Sequence, residues 1–205
     1  MVLQKKKKIS GSIQLFNENK KLSQVIEAHS GIFFSLKILS NNKDLKYSLF
    51  SFCSRSSVTE LKLHLIQIDA DENIPRFPKR VVDLPTSKLP DNDFPISVVF
   101  DESVALIFVY TKFGFVYAIE PHTGTCLSYN KYSESPIFLV LPASDHKSTH
   151  ILCRNGDVIK SVVDIEELFS ELIENGPDVY QPVGIVMNNI SIPEQEKIYR
   201  NQFDK

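Results

Sequence analysis

The sequence predicts a mainly β chain with an α segment at its C-terminus: four-stranded antiparallel meanders of the kind that build a β-propeller, then short helices. Three observations carry this. The stretch from Leu106 to Tyr129 holds three apolar, β-branched or aromatic runs, split by Gly114 and by Pro121-His122-Thr123-Gly124. It reads as three strands joined by two tight turns. Strand candidates then recur in groups of four with a period of about 40–50 residues, which is the arithmetic of propeller blades. Beyond Val163 the hydrophobic period lengthens from that of a strand to that of a helix. A sandwich of two packed sheets is the alternative topology.

The bulk numbers bound the function. The 205 residues are 42% hydrophobic and 23% charged, enough apolar material for a core. A formal charge of −2 argues against a dedicated nucleic-acid binder. Cys53, Cys126 and Cys153 are odd in number, far apart and without C-x-x-C spacing, which fits a reducing compartment. No apolar run approaches the ~20 residues that span a bilayer. The expectation is a cytosolic chain whose membrane association is indirect, through partners.

The elements follow in order. Lys5-Lys6-Lys7-Lys8 reads as a solvated end, with contact to anionic lipid or acidic protein as the sharper alternative. Residues Ile9 to Phe16 alternate, Asn17 to Lys20 form a turn, and Leu22 to Ala28 give a second strand. A first set of four spans Ile32 to Leu84: IFFSLKIL, YSLFSFCS, ELKLHLIQI and a short strand at Val81 to Leu84. In the third of these Leu61, Leu63 and Leu65 share one face, and Lys62, His64 and Ile66 the other. Proline-punctuated connectors cover Asp69 to Arg80 and Pro85 to Pro95. A second set of four runs from Ile96 to about Tyr132, and IFLVL, HILCR and DVIKSVV supply three more strands.

The helical part starts at Asp164, an N-cap for Ile165, Leu168, Phe169, Leu172 and Ile173 at helical spacing, and stops at Gly176-Pro177. A second short helix over about Asp178 to Asn188 keeps Pro182 within its first turn. Ser191-Ile192-Pro193-Glu194 offers a capping box for a third. Short helices in series are how an α-solenoid begins. The expected division is therefore 1–163, a β domain, and 164–205, a helical linker.

The order of elements resembles the clathrin heavy chain family where the terminal propeller joins the leg. The residues that carry the resemblance are TKFGFVYAIEPHTGTC (Thr111 to Cys126), FPKRVVD (Phe77 to Asp83), NDFP (Asn92 to Pro95), SQVIEAH (Ser23 to His29) and RNGDV (Arg154 to Val158). ENGPD (Glu174 to Asp178), followed by Asn188-Asn189, matches as well. The resemblance covers about Ile9 to Phe203 and implies the late blades of a seven-bladed propeller plus the start of the helical leg. It implies a non-catalytic coat component of intracellular vesicle transport and endocytosis, on the cytoplasmic face of coated pits and vesicles. It implies adaptor and cargo peptides as partners and no cofactor. The family's opening blades, with their clathrin-box groove, its light-chain-binding segment and its hub have no counterpart here, so any link to light chain is indirect. The family closes its last blade with a strand from the start of the propeller. The three strands from Ile137 to Val163 have no such donor, which leads to an expectation of self-association through an open sheet edge.

One family groove, which takes arrestin-type apolar peptides, maps onto Leu15, Lys20 (an arginine in the family), Leu22, Gln24, Ile26 and Lys79. Apolar side chains would line a slot for leucines and the lysines would attract flanking acids. The family's tryptophan at this groove has no equivalent, and the chain contains no tryptophan. The competing reading packs Leu22 and Ile26 within the sheets and leaves Lys20 a solvated turn residue. Other function classes are a propeller scaffold completed by a partner chain and a propeller hydrolase. The sequence offers the hydrolase little: His146 and His150 lack the glutamate of H-E-x-x-H and are expected in a loop. His64 and His29 read as structural. No P-loop, G-x-G-x-x-G or G-x-S-x-G occurs. The acidic loop Asp69 to Glu72 lacks calcium-loop spacing.

Overall fold

Alternation of apolar and polar residues, interrupted by glycine and proline, produces a succession of antiparallel meanders. The computed structural model describes residues 11–16, 21–40, 43–68, 74–143, 148–164 and 166–168. The first sheet pairs β1 (Ser12–Phe16) with β2 (Lys21–Glu27). The second orders β3 (Ser30–Ser40), β4 (Lys43–Arg55), β5 (Leu61–Gln67) and β6 (Arg80–Leu84) as they occur in the chain. The third does the same with β7 (Pro95–Asp101), β8 (Leu106–Thr111), β9 (Phe115–Glu120) and β10 (Thr125–Lys131). The fourth holds β11 (Ile137–Pro142), β12 (Ser148–Cys153) and β13 (Val158–Val162). A pair, two sets of four and three trailing strands is the grouping expected from the sequence.

The sheets pack in chain order, one core to each junction. Ile13, Ile26, Ala28, Phe50, Phe52 and Ile66 fill the first junction. Leu49, Cys53, Leu61, Leu63 and Leu65 meet Val98, Ile107, Val109, Tyr117 and Ile119 in the second. Val99, Tyr110 and Val116 meet Ile137, Val140, Ile151 and Cys153 in the third. Strand periodicity explains the partition: successive side chains of β8 and β9 point to opposite faces, so odd and even residues serve different cores. All six residues of β9 are buried. The third sheet is thus covered on both faces, as its nearly continuous apolar strands require. β7 lies against β3 and β4 on one side and β11 on the other, while β10 approaches β6. First strands therefore neighbour first strands and fourth strands neighbour fourth strands. This mostly β stack of meanders is consistent with part of a β-propeller.

Buried polar groups fix the connectors. Asp93, fully buried, accepts bonds from the Phe94 and Phe113 amides (2.9 Å each) and from the Thr111 hydroxyl (2.7 Å). Its carbonyl accepts Arg55, whose guanidinium also reaches the carbonyls of Ser57 and Val58. The end of β4 is thereby tied to the connector before β7 and to the β8–β9 turn. Glu120 accepts bonds from the amides of His122 and Thr123 and from the Thr123 hydroxyl, all at 2.6 Å. Those bonds shape the Pro121–Gly124 turn.

Two corrections concern boundaries. The hairpin β3–β4 continues to a Ser40–Lys43 pair, beyond the expected ends at Leu39 and Tyr47. Residues 166–168 are the helical ones among the described residues. There Asp164 plays its expected capping part, accepting the Glu167 amide at 3.1 Å and, through its carbonyl, the Leu168 amide at 3.0 Å. The rest of that helix, and the two helices expected after it, lie outside the described residues.

Glycines distinguish strain from crowding. Gly114 has φ +91° and a Cβ there would stand 2.2 Å from the Ser133 carbonyl oxygen. Gly156 has φ +93° with nothing within 4 Å. Gly156→Ala should cost about 1–3 kcal/mol for the backbone alone. Gly114→Ala should cost clearly more, because backbone must move as well. Urea denaturation of both variants checks the order, and equal losses would contradict the stated geometry.

Candidate functional site

Those candidate peptide-binding residues that are described lie in the first sheet or beside the second. Leu15 lies in β1 and Leu22 and Gln24 in β2, with Ile13 paired to Ile26 and Gln14 to Val25. Leu22, Gln24 and Ile26 fall at alternate positions of β2. Ile26 is half-buried and packs with Ala28, Phe50 and Phe52. Gly31 allows the sheets to approach, since a Cβ there would meet Ile13 Cδ1 at 3.1 Å. Lys79 is exposed just before β6, and its charge reaches His64 on β5. Lys20 lies outside the described residues, and Leu15, Leu22 and Gln24 are placed here by their strands alone.

The histidine of this junction is one the sequence assigned a structural part. His64 stacks on Phe52 with centroids 4.5 Å apart, and its Nε2 bonds the Ser54 hydroxyl at 2.8 Å. Burial first, then the charges of Lys79 and Lys62, hold its pKa below the ordinary value. His29, between β2 and β3, is lowered by burial and by Arg55, which outweigh a bond that raises it. Phe52 and Ser54 went unremarked in the sequence because strand positions of this kind carry no motif. Arg55 was missed for the same reason, and Asp93 was named only within NDFP, without a structural part.

Nothing in the described residues assembles catalytic chemistry. His150 is on strand β12 opposite Leu141 and Lys160, as the HILCR strand implied and not in the loop its pairing with His146 implied, and Ser148 and Thr149 enter the ladder despite their polarity. His146 and the acidic loop Asp69 to Glu72 lie outside the described residues. Among the described residues no group of three or more His, Cys, Asp or Glu could hold a metal ion. Burial pushes the Cys53 thiol far up and that of Cys126 to about 11, so neither supplies a ready thiolate. No helix among the described residues is long and apolar enough to cross a membrane.

Sequence comparison places this architecture. No protein-family profile matches the chain. It is, however, 29% identical to the clathrin heavy chain of Drosophila melanogaster over 201 residues, 97% of the chain and 12% of that protein. The chain is a divergent relative of one segment of clathrin heavy chain. A probable clathrin heavy chain of Schizosaccharomyces pombe is 27% identical over the same 97% of the chain, and human clathrin heavy chain 2 is 28% identical over 96%. The chain spans 12% of the length of each of these proteins. The clathrin resemblance seen in scattered motifs thus extends along nearly the whole sequence.

The depressed imidazoles give a pH prediction. A histidine held below the ordinary value stays neutral in the fold while the unfolded chain takes up protons near 6.5. Its contribution is therefore complete above pH 6.5 and is lost as pH falls through that value toward the folded pKa. The thermal midpoint should drop between pH 7.5 and 5.5, and His64→Gln should shrink the drop. An identical drop in the variant would exclude His64 as a source.

Proposed function

We propose that the chain is a non-catalytic component of the clathrin coat type, acting in vesicle-mediated transport by binding adaptor and cargo peptides. The observation that carries this is similarity to clathrin heavy chains over nearly the entire chain, together with the succession of face-packed meanders. In this reading residues 1–163 are late blades of an incomplete seven-bladed propeller, and 164–205 begin the helical leg. Peptides with arrestin-type apolar motifs enter between the first two sheets along Leu15, Leu22, Gln24 and Ile26. Lys20 and Lys79 attract acids flanking the motif. The protein works on the cytoplasmic face of coated pits and vesicles, reaches membrane through adaptors and light chain only indirectly, and uses neither cofactor nor nucleic acid.

The test is fluorescence anisotropy with a labelled apolar peptide of arrestin type bearing flanking acids. The chain should bind it saturably, and Lys20→Ala combined with Leu22→Ser should abolish binding. Unchanged affinity in the double variant would remove this groove. An epitope-tagged chain should also sediment with coated vesicles, and exclusion from that fraction would contradict the coat assignment.

A further inference from the structure

His64 stands beside the core that joins the first sheet to the second. Its ring lies 7° from parallel to that of Phe52, and Phe52 packs with Ile13 and Ile26 of the first sheet. The Ser54 hydroxyl holds Nε2 at 2.8 Å. Val81, opposite His64 on β6, is exposed, and His64 itself is half-buried. An imidazole so placed is close enough to the core to stack and close enough to the surface to exchange a proton.

The charged groups around it are few. Lys62, two residues before it on β5, pairs with Glu60 at 2.5 Å and lies 3.8 Å from Asp83 of β6. Lys79, exposed just before β6, enters no ion pair among the described residues. Phe52 and Ser54 of β4, and Ile13 and Ile26 of the first sheet, bring no charge. Two carboxylates therefore screen Lys62 and none screens Lys79, and of the two cations Lys79 weighs more heavily against a charged imidazole. A carboxylate that engages Lys79 removes this repulsion and adds an attraction, so the acid and the proton favour each other's binding. We infer that His64 is a recognition residue of the peptide groove, taking up a proton when a flanking acid of the peptide engages Lys79, so that acidic peptides bind more tightly as pH falls from 7.5 to 5.5. This rests on the groove reading given above and adds to it a pH-dependent choice of ligand, in which acid-flanked peptides gain and neutral ones do not.

The probes are two labelled peptides without histidine, acetyl-Leu-Leu-Ser-Leu-Asp-Glu-Asp-amide and a twin ending in Asn-Gln-Asn. Each is titrated into the full chain at pH 7.5 and at pH 5.5, well below the thermal midpoint. The acidic peptide should bind about fivefold or more tightly at the lower pH, while the affinity of the twin should change about twofold at most. In His64→Gln the ratio for the acidic peptide should fall to about one. His29→Gln should keep the native ratio, since His29 faces Phe94 and Arg55 instead. Calorimetry in two buffers of different ionisation enthalpy should show proton uptake on binding in the native chain and none in His64→Gln. A ratio near one in the native chain, a rise that persists in His64→Gln, or a rise lost equally in His29→Gln would overturn the inference, and saturable binding at pH 7.5 would still leave the groove standing. No saturable binding of either peptide at either pH would overturn the groove and this inference with it.

Discussion

Burial of the third sheet on both faces is the constraint on which the other sheets depend. β8 and β9 send Ile107, Val109, Tyr117 and Ile119 into one core and Tyr110 and Val116 into the next. Neither neighbour could bury its own apolar face without this sheet between them. Each buried leucine or isoleucine contributes about 1.5–3 kcal/mol relative to exposure, before ordering entropy is charged against it. The exposed ion pairs Lys37–Glu102 and Lys131–Glu134 belong to a class worth little by comparison. Cohesion therefore lies in sheet-to-sheet packing, with the Arg55 and Asp93 bonds fixing how one sheet hands the chain to the next.

The same arrangement explains why the outer sheets look unfinished. Phe138, Val158 and Val162 of the fourth sheet are 68%, 66% and 59% exposed, although they lie in strands. Their counterparts in the third sheet are covered because a sheet stands on each side.

Strands were legible in the sequence wherever burial imposed a pattern. Leu61, Leu63 and Leu65 announce one buried face by alternation, and Gly114 and Pro121-His122-Thr123-Gly124 announce the turns around β9. The grouping into sheets followed from the long proline-rich connectors. Legibility failed where local chemistry and final environment disagree. Asn41-Asn42-Lys43-Asp44 reads as a loop, yet β4 begins at Lys43, because ladder pairing with β3 continues to Ser40. Ser148 and Thr149 read as loop residues but are buried in β12. Asp93 stood out only within the NDFP motif, and its burial gave no signal, since one acidic residue in a polar loop looks the same whether solvated or buried. Of the candidate groove, Ile26 packs with Phe50 and Phe52 and Lys79 is exposed before β6, and the resemblance rather than any periodicity pointed to them.

Amide hydrogen exchange, read strand by strand in the intact chain, tests the central claim most directly. If cohesion resides in the doubly covered third sheet, β8 and β9 should exchange most slowly, while β1 and β13 exchange fastest. Slowest exchange in β13 or β1, or equal protection in all strands, would contradict the account.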